Sequence, residues 1–387
     1  VTRYDPAKPS TCAVFLAFFR LGLTAFGGPA MVNHIRKLAV EDQGWLTPED
    51  FRDGIALCQT LPGAIAVNVA AYAGFRARKL PGLLAAFAGF SLPAFLLMVG
   101  LSAAYFRTRE IPQVTSLFQG LEVIVVAIIL DAAVTFGRSA LSSFRDWLLA
   151  GMGAVLLMLK ANPFLVILGC GLLAVLLFRS TGTTAPPAAS PKPTGFGPAA
   201  TLGAGFASVL VLLAFTAPLL FQLAWIMAKI ELFAFGGGYA ALTLMFHEVV
   251  EAKGWLDHKA LMDGVALGQL TPGPILNTAA FIGYAKAGIA GALFAFLGIF
   301  TPGLILVTGV LPVFDRVRAN PLLARMVRGI ISCFVGLLAF IAWSFAARIP
   351  WDLVRLAMGA AAFWALSKKI DLLWVVAGGG VAALLLL

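Results

Sequence analysis

Long apolar runs separated by short polar gaps dominate this chain. Runs near 80–105, 113–136, 201–221, 289–312 and 322–346 are each long enough to cross a hydrocarbon core of about 30 Å, which takes about 20 helical residues. They lack the period-two alternation of a membrane β-barrel, so the pattern predicts an all-α, polytopic membrane protein. Two kinds of interruption break it. "LTAFGGPAMV" at 23–32 and "LFAFGGGYAAL" at 232–242 place glycines inside apolar segments, and Leu61-Pro62-Gly63 and Thr271-Pro272-Gly273 end short helices that begin near Thr47 and Asp257.

The interruptions are paired. A shift of 209 or 210 residues brings Phe26-Gly27-Gly28 onto Phe235-Gly236-Gly237 and Gly44-Trp45 onto Gly254-Trp255. It also sets "DGIALCQTLPGAIAVN" (53–68) on "DGVALGQLTPGPILN" (263–277), with one residue inserted. The chain therefore reads as a duplication: a first membrane repeat over 1–178, a Pro/Ser/Thr/Gly-rich flexible linker over 179–200, and a second repeat over 201–387. An additional apolar run, 201–221, leads the second copy. If the segments cross alternately, that odd helix turns the second copy upside down, giving inverted repeats. Lys and Arg then favour the loops on the N-terminal side, which places the N-terminus in the cytoplasm. Re-entrant Pro-Gly segments would change that count of crossings.

Composition agrees. The chain of 387 residues is 60% hydrophobic and 12% charged, with a mean hydropathy of +0.94, and its net charge of +10 sits in the gaps between apolar runs, as topology signals do and nucleic-acid faces do not. The first apolar run, which contains Arg20, reads as a membrane element and not a removable signal peptide. Cys12, Cys58, Cys170 and Cys333 have no metal-binding spacing and read as buried free thiols, and His34, His247 and His258 as surface residues. There is no phosphate-binding GxxxxGK[ST] loop, no HExxH and no GxSxG, so neither ATP-driven transport nor a familiar hydrolytic enzyme is indicated. No cofactor is called for. Small-xxx-small patterns run throughout without marking a dimer face, so a homodimer stays open.

Thr47-Pro48-Glu49-Asp50 is a helix start, with Thr47 as N-cap and Pro48 in the first turn. The helix runs about 14 residues to its Pro-Gly break, about 20 Å, too short to cross alone. Backbone left unpaired inside a bilayer survives only where protein or a water-filled cavity satisfies it. Discontinuous helices at matching places in two halves point to a transporter site, and half-helix N-termini favour an anion. The expected binding set is Gly27, Gly28, Gly236, Gly237, Gly63, Gly273, the amide pairs Gln59/Gln269 and Asn68/Asn277, and two cations, Arg20 and Lys229, each six residues before its glycine cluster. Embedded cations are costly and usually paired or functional. Such a set suits a divalent oxyanion. Glu122 and Asp131, whose counterparts are Ile331 and Phe340, are candidates for proton coupling, or else helix-interface pairing to Arg138. Glu231, two residues after Lys229, reads as its neutralising partner.

With Phe26-Gly27-Gly28-Pro29, Gly44-Trp45-Leu46, Asp53-Gly54, Gln59 and Leu61-Pro62-Gly63 in one copy, and Phe235-Gly236-Gly237, Gly254-Trp255-Leu256, Asp263-Gly264, Gln269 and Thr271-Pro272-Gly273-Pro274 in the other, the chain resembles the chromate ion transporter family in its long two-domain form. The resemblance implies chromate efflux across the bacterial inner membrane, chromate resistance, and two homologous halves in opposite orientations. Ala64 stands where the second copy has Pro274, and Gly238 where the first has Pro29, so the halves are not strictly equivalent. A permease for sulfate or another oxyanion would carry the same broken helices.

Overall fold

The computed structural model describes residues 9–24, 28–178 and 195–387. Every regular element among them is helical. In order these are α1 (Thr11–Thr24), α2 (Gly28–Arg36), α3 (Pro48–Thr60), α4 (Ile65–Thr108), α5 (Pro112–Ala140), α6 (Phe144–Met158), α7 (Pro163–Leu177), α8 (Gly197–Thr216), α9 (Pro218–Phe233), α10 (Gly238–Met245), α11 (His258–Leu270), α12 (Thr278–Val310), a short α13 (Phe314–Arg318), α14 (Pro321–Ala346), α15 (Leu353–Ser367) and α16 (Leu372–Leu386). Lys37–Asp42 and Phe246–Ala252 prolong α2 and α10 as wider turns. Of the expected linker, 179–194 lies outside the described residues, and Gly197 already begins a helix.

The predicted helix starts are present. Thr47 Oγ1 accepts the Asp50 N–H at 3.1 Å and Asp257 Oδ1 accepts the Ala260 N–H at 2.7 Å, each supplying an acceptor to an otherwise orphaned first-turn donor.

The Pro-Gly segments are re-entrant. Near the start of α3, the Asp50 carbonyl accepts from the Tyr72 hydroxyl at 3.0 Å and the Asp50 carboxylate pairs with Arg76, both on the first arm of α4. That arm (65–77) therefore runs back along α3 after the break at 61–64. At Arg78 and Lys79 the backbone leaves helical geometry, and Gly74 and Gly82 touch across the bend. The long arm (80–108) then crosses. The second copy repeats this: Gly264 of α11 packs on the Phe281 ring, and Ala287-Gly288 breaks α12 before its long arm.

α1 with α2, and α9 with α10, form re-entrant hairpins too. Arg78 Nη1 donates to the Pro9 carbonyl at 2.9 Å and Gly22 lies against the Phe90 backbone, so α1 runs parallel to the long arm of α4, and the chain returns through α2 to the same face for α3. In the second copy Lys229 of α9 meets Glu248, just beyond α10. Among the described residues, five elements are apolar and long enough to cross a membrane, those containing the long arms of α4 and α12 together with α5, α8 and α14. Because α8 is an odd crossing, the hairpins of the second half enter from the opposite face, and the repeats are inverted.

Each half closes with a short hairpin, and the two are exchanged. α6 and α7 pack on α14 of the other half, while α15 and α16 pack on α5. Cys58, Cys170 and Cys333 are buried, but Cys12 is exposed, a correction to the expectation of four buried thiols: it lies in the first turn of α1, where little packs over it. His258, expected at the surface, lies against the Phe246 ring at 4.9 Å, because the hairpin brings the start of α11 onto the end of α10.

Candidate oxyanion site

The hairpin tips of opposite halves meet. The Gly63 N–H donates to the Ala234 carbonyl at 2.9 Å, joining the first Pro-Gly break to the second glycine cluster, and Gly238 packs on Ile275 and Leu276 just past the second break. Between the tips lies a cavity of about 560 Å³. Its lining includes Ala64, Ile65 and Ala66 from the first break, Thr271, Gly273, Pro274 and Ile275 from the second, Gly236–Tyr239 from the glycine cluster, and Phe136, Leu372 and Leu373 from the enclosing helices.

Helix geometry explains why this surface donates hydrogen bonds. The first arm of α4 begins at Ile65 and a short helical turn at Ile275 leads into α12, and the first amides of any helix have no carbonyl one turn back. Proline sets up each break by removing a donor and clashing with the preceding turn. Gly63 takes φ +99°, a conformation open to glycine, and a β-carbon there would run into Glu231 Oε1.

The expected side chains divide between this cavity and its surroundings. Gln59 and Gln269 both line it, and the buried Gln269 Nε2 has no hydrogen-bond partner among the described residues. Gly236, Gly237 and Gly273 line it as well. Gly63 sits behind the first break, braced by Glu231. Asn68 is buried and donates to the Pro62 carbonyl at 3.4 Å, so it holds the break in shape, while Asn277, its counterpart, is buried with both side-chain polar atoms unpartnered. Gly28 begins α2; Gly27 lies outside the described residues.

The two cations are not in the lining. Arg20 is exposed on α1 and forms no ion pair among the described residues. Lys229 binds Glu248 at 2.5 Å and stands over the Phe164 ring, 4.4 Å from its centroid. Register along a helix sets their spacing from the glycine clusters, but the side of the helix each occupies depends on neighbours that the shift does not reveal.

Glu122 pairs with Lys259 at 2.6 Å, and the same lysine lies 3.6 Å from Asp263, which accepts from the Tyr105 hydroxyl at 2.7 Å. This cluster joins α5, α11 and α4 at the face opposite Pro9 and Arg78, so Glu122 is paired across the halves and not to Arg138. Asp131 is partly buried on α5 with no ion pair among the described residues.

Sequence reasoning missed much of the cavity surface, including three residues with polar side chains. Tyr239 and Asn33 line the cavity, and Glu231 lies directly behind it. Glu231 does not touch Lys229. It is 1% exposed, and its Oε1 accepts from the Ala64 N–H at 3.4 Å. A signal was available, because residues two apart on a helix point to nearly opposite sides.

Comparison with known proteins bears directly on this architecture. A 35% identical transporter of uncharacterized function from Methanocaldococcus jannaschii aligns over 95% of this chain and 92% of its own. A chromate transport protein of Cupriavidus metallidurans is 29% identical over 95% of this chain and 91% of its own, and one of Pseudomonas aeruginosa is 29% identical over 98% and 94%. No solved structure matches. The model of the chromate transporter family fits residues 12–175 and again 221–384, the two copies whose tips enclose the cavity, and the chain belongs to that family as a multi-pass protein of the plasma membrane.

Proposed function

We propose that this chain is a secondary transporter that exports chromate from the cytoplasm, by alternating access of the cavity between the hairpin tips. Membership of the chromate transporter family supports the substrate. The observation that carries the site is the convergence of both broken tips with Gln59 and the unpartnered amide of Gln269 on one cavity. An oxyanion entering it exchanges water for backbone and amide donors, in a setting where hydrogen bonds to charge are worth about 1.5–3 kcal/mol each.

The family is a transporter family, and a carrier, not an enzyme, is the reading here. Orientation follows from charge. Arg76, Arg78, Lys79, Arg316, Arg325 and Arg328 lie at the face that holds Pro9 and the start of α1, which the positive-inside tendency assigns to the cytoplasm. A dianion leaving alone from a cell that is negative inside gains ~4.6 kcal/mol per 100 mV, and one accompanied by a proton ~2.3 kcal/mol, enough for gradients of roughly a thousandfold and roughly fiftyfold. The test is labelled chromate uptake into inside-out vesicles, with potential and pH gradient set independently. Accumulation that follows the potential is expected; none under any imposed gradient sinks the reading. Sulfate competition in the same assay measures selectivity.

A further inference from the structure

We propose that Glu231 is a proton-binding residue whose protonation accompanies oxyanion occupancy of the cavity, so that each chromate travels with one proton. The inference rests on the export reading and names the coupling residue behind it.

Glu231 is a carboxylic acid placed from the second half against the helix start of the first. Oε1 accepts from the Ala64 N–H at 3.4 Å, and Ala64, Ile65 and Ala66 are the cavity wall. Oε2 is buried with no hydrogen-bond partner among the described residues. An ionised carboxylate with one oxygen unsolvated in apolar surroundings is costly, whereas the protonated acid is not. An anion in the cavity and an anionic Glu231 would also share the positive end of one half-helix and repel each other through a thin wall of backbone. Taking a proton from water onto Oε2 removes that conflict, and releasing it restores the conflict and favours departure of the oxyanion.

Among the described residues, no nearby cation substitutes for the proton. Lys229, on the same helix, is held by Glu248; Tyr239 of α10 lines the cavity, and His247 beyond it pairs with Glu251. On α4, Tyr72 and Arg76 face Asp50, Arg78 faces Pro9, Lys79 stands over Phe75 and Tyr105 faces Asp263. On α12, Tyr284 and Lys286 lie beside the far turn, and α8 carries no charged residue. The position is also unique to one half: its counterpart by the shift of 209 is Gly22, packed on the Phe90 backbone, so the second break has no matching acid.

The test uses the full chain in proteoliposomes and in detergent. Wild type should move one net negative charge per chromate, read from the potential that halts flux, and its chromate affinity should fall by about tenfold per pH unit once Glu231 ionises. In Glu231→Gln the charge per chromate should rise to two and the affinity become independent of pH. A Gln variant with wild-type stoichiometry and pH dependence overturns the proposal. Should that variant fail to insert, calorimetric titration of wild type with chromate in buffers of differing ionisation enthalpy decides: uptake of one proton supports it and uptake of none overturns it. Absence of any chromate flux in wild type defeats the export reading instead.

Discussion

Arg328 on α14 grips Asp146 at the start of α6 across the boundary between the halves, with Nη2 2.8 Å from Oδ2 and Nε 3.0 Å from Oδ1. The two positions related to them by the repeat, Gln119 and Arg355, are also bonded, Arg355 Nη2 donating to Gln119 Oε1 at 2.9 Å. The same contact thus occurs at both faces, with the charged partners exchanged and one acid replaced by an amide.

Asp146 is fully buried while Arg328 is 43% exposed, so removing the arginine strands a carboxylate. Arg328→Ala is expected to cost about 2–4 kcal/mol, below the full range for a buried pair because one partner is partly solvated. Thermal unfolding in detergent measures it. Adding Asp146→Ala should cost much less than its effect alone, and strict additivity of the two would show that they do not interact.

Gln269→Ala removes the unpartnered amide donor from the cavity. Chromate affinity should fall by roughly tenfold to a hundredfold, with stability nearly unchanged, since no internal hydrogen bond is lost. Flux against chromate concentration gives the answer; an unaltered half-saturation point would take Gln269 out of the site.

Lys229→Ala should act on stability and not on binding. It leaves Glu248, whose side chain is 7% exposed, without its cation, at about 2–3 kcal/mol. Arg20→Ala, at an exposed position, should change both stability and half-saturation by little. A large loss of chromate affinity in either variant, with stability intact, would return these cations to the substrate path.

Gly63→Ala is expected to destabilise by about 1–3 kcal/mol from its positive φ alone, and further because the new methyl displaces Glu231. Comparison with Gly237→Ala separates the two causes: that residue also has φ +101°, but a methyl there meets open space, so only strain applies.

Duplication and the broken segments are legible in residues 23–68 and 232–277, because glycine and proline at fixed spacing constrain backbone directly, and the inversion is legible in the unmatched apolar run 201–221 that precedes the second copy. Re-entrance is not legible there. A 13-residue helix ending at Thr60, just before Leu61-Pro62-Gly63, is compatible with crossing or returning, and the choice is made by contacts such as Tyr72 with Asp50, which no local pattern encodes. Similarly, the shift places Arg20 and Lys229 at equivalent positions of the two copies, but the partner of Lys229 lies 19 residues on, beyond any helical periodicity. Glu231 was hidden by its proximity in sequence to that lysine, although helical geometry already separates them.

The exchanged closing hairpins carry a mechanical consequence. With α6 and α7 clasped onto α14, and α15 and α16 onto α5, neither copy can swing as a rigid lobe without stripping away its neighbour's outer layer. In the transport cycle proposed above, this makes the interlocked helices the stationary frame and the paired tips, which enter from either face, the parts that slide within it.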